Sequence, residues 1–149
     1  MKAIRATEEW QKAGVHYVRY VTMCQGFHVT LEMEFGQDKP DDQYVLVMDG
    51  DDPVATCRVH YLGDGKGQIE RVATLPQYHG KHYGAAAITE AENWMRENGV
   101  TQIYINSRTA VVGFYEKLGY TPDYNQVTGS GTFECVMTHK GLAASKKEA

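Results

Sequence analysis

At 149 residues the chain suits one domain, and a domain of that size buries on the order of 70% of its unfolded surface, enough for a full hydrophobic core. The net charge of −4 has the wrong sign for a protein that lives on a phosphate backbone, and no Lys/Arg cluster offers a track, so no nucleic-acid partner is expected. No apolar run approaches the ~18 residues of a membrane span, the start MKAIRATEEW lacks an apolar leader, and Cys24, Cys57 and Cys135 form no C-x-x-C pair; a cytoplasmic protein is expected, with no membrane insertion, disulfide framework or metal site.

Lys2 to Ala6 predicts a first strand, and Thr7 with Glu8 and Glu9 predicts a helix start, the helix running to about Val21. From Met23 to Asp42 no single period dominates, so a short second helix or irregular segment and an acidic loop are expected. The acidic residues there, Glu32, Glu34, Asp38, Asp41 and Asp42, fit a solvated loop or a surface that favours a cationic acceptor. Tyr44 to Met48 is an apolar run that turns at Asp49-Gly50 into Val54 to Leu62. In that second run Ala55, Cys57, Val59 and Tyr61 alternate with Thr56, Arg58 and His60, the period of a half-buried strand. The GDGKG stretch, Gly63 to Gly67, reads as a hairpin loop and not a Walker loop, because no Ser or Thr follows its Lys. The strand Gln68 to Thr74 comes next.

This strand breaks at Pro76, and a loop with Gly80 opens directly into a small-residue helix starting Gly84, Ala85, Ala86, Ala87. The first turn of a helix has N–H groups without partners and a positive dipole end, so a phosphate fits there; an ordinary strand-to-helix turn is the alternative. The helix shows an apolar face through Tyr83, Ala87, Ala91, Trp94 and Met95 and ends at Asn98-Gly99. A fifth strand, Gln102 to Ile105, follows, and Asn106 or Ser107 can cap a further helix carrying Val111, Phe114, Tyr115 and Leu118, with Gly119 as its stop. A final strand is expected near Phe133 to Thr138, then a polar tail, Gly141 to Ala149.

The blocks V-A-T-L-P-x-x-x-G-x-x-x-G-A and A-V-V-G-F-Y-E-K-L-G-Y resemble the GNAT superfamily of acetyl-CoA-dependent N-acyltransferases, and both ends of the chain resemble its small ElaA/YjcF-like bacterial members. The resemblance covers roughly residues 54 to 122. It implies an α+β fold in a single domain, residues 1–140: a mixed, mainly antiparallel central sheet of about six to seven strands flanked by about four helices. It implies transfer of an acetyl group from acetyl-CoA to a primary amine, on a small molecule or a protein, through a ternary complex. The alternative is a catalytically weak or inactive acyl-CoA-sensing module of the same fold. A homodimer is common among domains of this size.

The resemblance also implies the site residues. Val72, Ala73 and Thr74 would pair with the pantetheine arm, and His79, Gly80, Lys81, His82, Tyr83, Gly84 and Ala85 would form the pyrophosphate loop. His79 stands where the family has Arg or Gln, and His82 where it has its first glycine, so this loop departs from the pattern at two positions. Asn106 would bond the pantetheine arm or cap the next helix. Tyr115 would protonate the departing thiolate, although its place on an apolar stripe also suits a core residue. Glu70 would act as general base through water, or serve as a strand carboxylate paired with Arg58 or Arg71. Tyr17, Tyr20, Glu32, Glu34 and Phe35 fall in the segment that forms one wall of the acceptor cleft.

Overall fold

The computed structural model describes residues 1–143, so residues 144–149 of the expected tail lie outside the described residues. Strands β1 (Lys2–Ala6), β2 (Gln43–Asp49), β3 (Asp52–Gly63), β4 (Lys66–Thr74), β5 (Gln102–Arg108), β6 (Thr121–Thr128) and β7 (Cys135–Gly141) form one sheet in the order β1-β2-β3-β4-β5-β7-β6. Every neighbouring pair is antiparallel except β4 and β5, which helix α3 (Tyr83–Glu97) connects. Helices α1 (Glu9–Arg19), α2 (Leu31–Phe35) and α4 (Val112–Lys117) complete the α+β fold.

Helix α1 begins with a reciprocal capping box between Glu8 and Gln11 and runs into a wide turn, Tyr20–Gln25, where the Gly26 N–H reaches the Val21 carbonyl at 3.0 Å. One face of the sheet packs on α3: Val45, Val47, Cys57, Val59 and Ile69 meet Ala87, Ile88, Ala91 and Met95. The other face of β2 packs Tyr44, Leu46 and Met48 against Val15 of α1. The compact apolar run of β2 thus follows from burial on both sides.

Strand β3 is not half-buried as its alternation suggests, for it is buried from Val54 to Val59 on both faces. Its polar positions are satisfied inside: Thr56 Oγ1 donates to the Val45 carbonyl at 2.7 Å, and Arg58 is ion-paired. Strand β5 runs on through Asn106 and Ser107, so neither caps the next helix; α4 starts at Val112. Gly141 closes β7 opposite Gln102, and the Leu142 N–H reaches the Thr101 carbonyl at 2.8 Å, so the start of the expected tail is held to the sheet.

Candidate active site

Strands β4 and β5 pair for only three positions, Lys66 with Gln102, Gly67 with Ile103 and Gln68 with Tyr104. Beyond these β4 stays bound to β3 as far as Thr74, and β5 stays bound to β7 as far as Arg108. The two strands therefore part into a notch, each turning an unpaired backbone edge toward the other. The cause lies in β4. Glu70 pairs with Arg58 and Ala73 with Thr56, so Arg71 and Val72 together oppose Cys57 in a bulge, with Arg71 at φ +53°. The Leu75 N–H bonds back to the Val54 carbonyl at 2.9 Å, and strand alternation then turns the backbone groups of Val72 and Thr74 into the notch. The backbone groups of Ala73 face Thr56 on β3, and its side chain packs with Val18 and Leu75.

The notch ends at the loop before α3. Gly80 takes φ +78° in open space, a conformation that favours glycine, and His82 takes φ +68° at the helix cap. His82 makes no capping side-chain bond, and the first turn of α3 holds no acidic residue. The N–H groups of Tyr83, Gly84 and Ala85 and the helix dipole therefore suit an anion. Gly84 packs closely: a Cβ there would lie 3.2 Å from Thr74 Oγ1 and 3.3 Å from Phe114 Cζ. His79 Nε2 lies 2.9 Å from the Thr74 carbonyl oxygen, and the Lys81 ammonium folds over the Tyr78 ring at 5.8 Å. Tyr78 and Tyr83 meet edge to face at 5.5 Å. Their phenols are pushed upward by desolvation and then by nearby carboxylates, Asp52 and Asp49 for Tyr78 and Asp49 for Tyr83.

Tyr115 is the buried residue of α4, 7% exposed and part of the main core. Its ring meets Phe114 at 5.0 Å and Tyr120 at 6.3 Å, and Phe114 in turn approaches Gly84 at the start of α3. Burial pushes its phenol well above the ordinary tyrosine range, so it stays protonated at neutral pH. Asn106 lies exposed within β5.

Glu70 is half-buried and accepts from Arg58 Nε at 3.0 Å, with His60 Nδ1 at 3.6 Å; of the two pairings expected for it, Arg58 is the one formed. It lines an open pocket of about 440 Å³ with Gly36, Gln37, Asp38, Lys39, Asp42, Arg58 and His60. Tyr17, Tyr20 and Glu32 are exposed. Glu34 departs from expectation. It is 1% exposed, and its two carboxylate oxygens take Arg19 Nε at 2.8 Å and Arg71 at 3.3 Å, so no acceptor can reach them. Phe35 is half-buried, its ring under the Arg19 guanidinium at 4.7 Å and against His16 at 5.8 Å.

The network around Glu34 escaped the sequence. Arg19, 1% exposed, also holds both oxygens of Asp38, at 2.6 and 3.0 Å, and Arg58 reaches Asp38 at 2.9 Å. The readable signal was Arg19 itself, a charge on the same helix face as Val15 and Val18.

The profile of the Acetyltransferase (GNAT) family matches residues 6–120, and the chain belongs to that family. It is 29% identical over 120 residues to the uncharacterized N-acetyltransferase YjcF of Bacillus subtilis, covering 80% of this chain and 85% of that one. A crystal structure of a Lactobacillus plantarum protein named as an N-acetyltransferase superposes with a TM-score of 0.87 at 25% identity, covering 95% of this chain and 98% of that one. Escherichia coli ElaA shares the fold, with a TM-score of 0.77 at 15% identity over 93% of this chain and 98% of its own.

Proposed function

We propose that the chain transfers an acetyl group from acetyl-CoA to a primary amine, on a small molecule or a protein, by direct attack in a ternary complex. The observation that carries this reading is the notch between β4 and β5, whose parted strand edges lead to the uncapped N-terminus of α3, with the Thr74 carbonyl on that edge 2.9 Å from His79 Nε2. The pantetheine amides would pair with Val72 and Thr74 as an added strand, and the pyrophosphate would take the N–H groups from Tyr83 to Ala85. The neutral amine attacks the thioester carbonyl carbon and the C–S bond breaks. The thiolate takes its proton from Tyr115, and the amine loses one through water to Glu70. A primary amine with a pKa near 10.4 is neutral in only about 0.04% of molecules at pH 7, so the base is needed. The Glu70 pocket, lined by Asp38 and Asp42 and equally by Lys39 and Arg58, would receive the acceptor amine beside the base.

A second reading is acyl-CoA sensing without turnover, favoured by the left-handed His82 in the phosphate loop. Thiol release measured against a panel of primary amines separates the two. Release with at least one amine is expected; acetyl-CoA binding with no release from any amine supports the sensor.

A further inference from the structure

Four described residues other than glycine have positive φ, and of these only Arg71 lies inside a strand. Left-handed backbone disfavours a side-chain-bearing residue, so something must hold Arg71 there. Among the described residues its guanidinium has one ion-pair partner, the buried carboxylate of Glu34 on α2, at 3.3 Å. Arg19 Nε meets the other Glu34 oxygen at 2.8 Å and Arg19 also donates to the Glu34 carbonyl at 2.6 Å, but Arg19 is shared with both oxygens of Asp38, so Arg71 contributes to neutralising Glu34. Arg71 also links α2 mechanically to the bulge that splays β4 from β5. The same network returns to β4 one residue earlier, through Asp38 and Arg58 to Glu70.

We propose that Arg71 is a positioning residue whose ion pair with Glu34 holds the bulge open and ties helix α2 to the cofactor notch. The inference rests on the acetyl-CoA reading of that notch. Seating a cofactor along Val72 and Thr74 then tightens α2 through the Arg71–Glu34 pair. Calorimetric titration of acetyl-CoA into the unaltered chain and into Arg71→Lys, Arg71→Gln and Arg71→Gly tests it, together with amide hydrogen exchange over residues 31–35. Arg71→Gln and Arg71→Gly are expected to bind at least about fivefold more weakly, and Arg71→Lys to recover most of the loss. Acetyl-CoA is expected to slow exchange over 31–35 in the unaltered chain and in Arg71→Lys, but not in the other two. Glycine accepts the left-handed backbone without the ion pair, so unaltered affinity in Arg71→Gly overturns the proposal, as does equal slowing in every folded variant. It also keeps the test open if Arg71→Gln melts below the assay temperature. Those outcomes leave the acetyltransferase reading standing, whereas an unaltered chain that binds no acetyl-CoA overturns both.

Discussion

The imidazole of His79 closes on the Thr74 carbonyl, with Nε2 at 2.9 Å from an oxygen that faces the cofactor notch. The ring thus stands where the notch meets the phosphate loop, and there it offers less charge than a guanidinium. His79→Arg would place a permanent cation beside the pyrophosphate. Acetyl-CoA affinity is expected to rise roughly tenfold at pH 7 and low salt, the gain shrinking as ionic strength screens it. Calorimetry at two salt concentrations reads both effects. No gain at either salt would place the pyrophosphate elsewhere.

His82 carries a side chain at φ +68°, where the backbone favours glycine. His82→Gly relieves that strain and clears the backbone's approach to an anion. A stabilisation of about 1 kcal/mol is expected, visible as a rise of roughly 2–4 °C in the melting temperature, together with tighter acetyl-CoA binding. His82→Ala keeps the strained backbone and is the control; an equal rise in both variants would refute the conformational explanation.

Periodicity and turn chemistry made most of the fold legible. The apolar run Tyr44 to Met48, the turn at Asp49-Gly50 and the glycine stop after Asn98 are local signals, and each element lies where it was expected. The notch was not legible, because it depends on Arg71 taking a left-handed conformation and on two distant strands failing to pair. The burial of Glu34 was equally hidden. Its partners Arg19 and Arg71 lie 15 and 37 positions away, and an acidic letter in a loop reads as solvated until the guanidiniums that enclose it are placed. The edge strand β6 carried a weak signal for the opposite reason: Tyr124 to Thr128 are exposed and show no core-facing alternation.

Asp38 and Tyr44 give the chain opposite pH limits. Burial pushes Asp38 upward, but Arg19, Tyr44 and Arg58 outweigh it and hold its carboxyl below the usual range. Its contribution is present above the unfolded value near 4 and is lost as pH falls through the lower folded value. Burial and the adjacent Asp38 push the Tyr44 phenol up to about 12. Its contribution is complete below the unfolded value near 10 and is lost as pH rises from there through the folded value. Melting temperatures across pH should therefore fall on both sides of a neutral plateau. Tyr44→Phe, which loses the 3.0 Å bond to Asp38, is expected to cost about 1 kcal/mol at neutral pH and to flatten the alkaline fall. An unchanged alkaline slope would assign that limb to Tyr115 and Tyr120, which burial shifts in the same direction.

Removing the Glu70 carboxylate tests the base independently of the acid. Glu70→Gln keeps the size of the side chain and an acceptor for Arg58, which lies at 3.0 Å, so the acetyl-CoA site should be preserved. A fall in kcat of roughly 10²-fold is expected, with the KM for acetyl-CoA unchanged. An equal rise in that KM would identify Glu70 as a structural partner of Arg58.

Tyr115 is both core and candidate acid, and Tyr115→Phe separates the two roles. The substitution removes one hydroxyl and keeps the ring contacts to Phe114 at 5.0 Å and Tyr120 at 6.3 Å, so melting temperature and acetyl-CoA affinity should hold. If the phenol protonates the departing thiolate, kcat falls by roughly 10²- to 10⁴-fold, the range of general acid catalysis. Because burial raises the phenol above its ordinary range, the unaltered enzyme should keep its kcat as pH approaches about 10, where an exposed tyrosine ionises. Steady-state rates of thiol release, paired with calorimetry of acetyl-CoA binding, read both quantities. Full kcat in Tyr115→Phe would leave Tyr115 with packing alone, and solvent would then protonate the thiolate at the mouth of the notch.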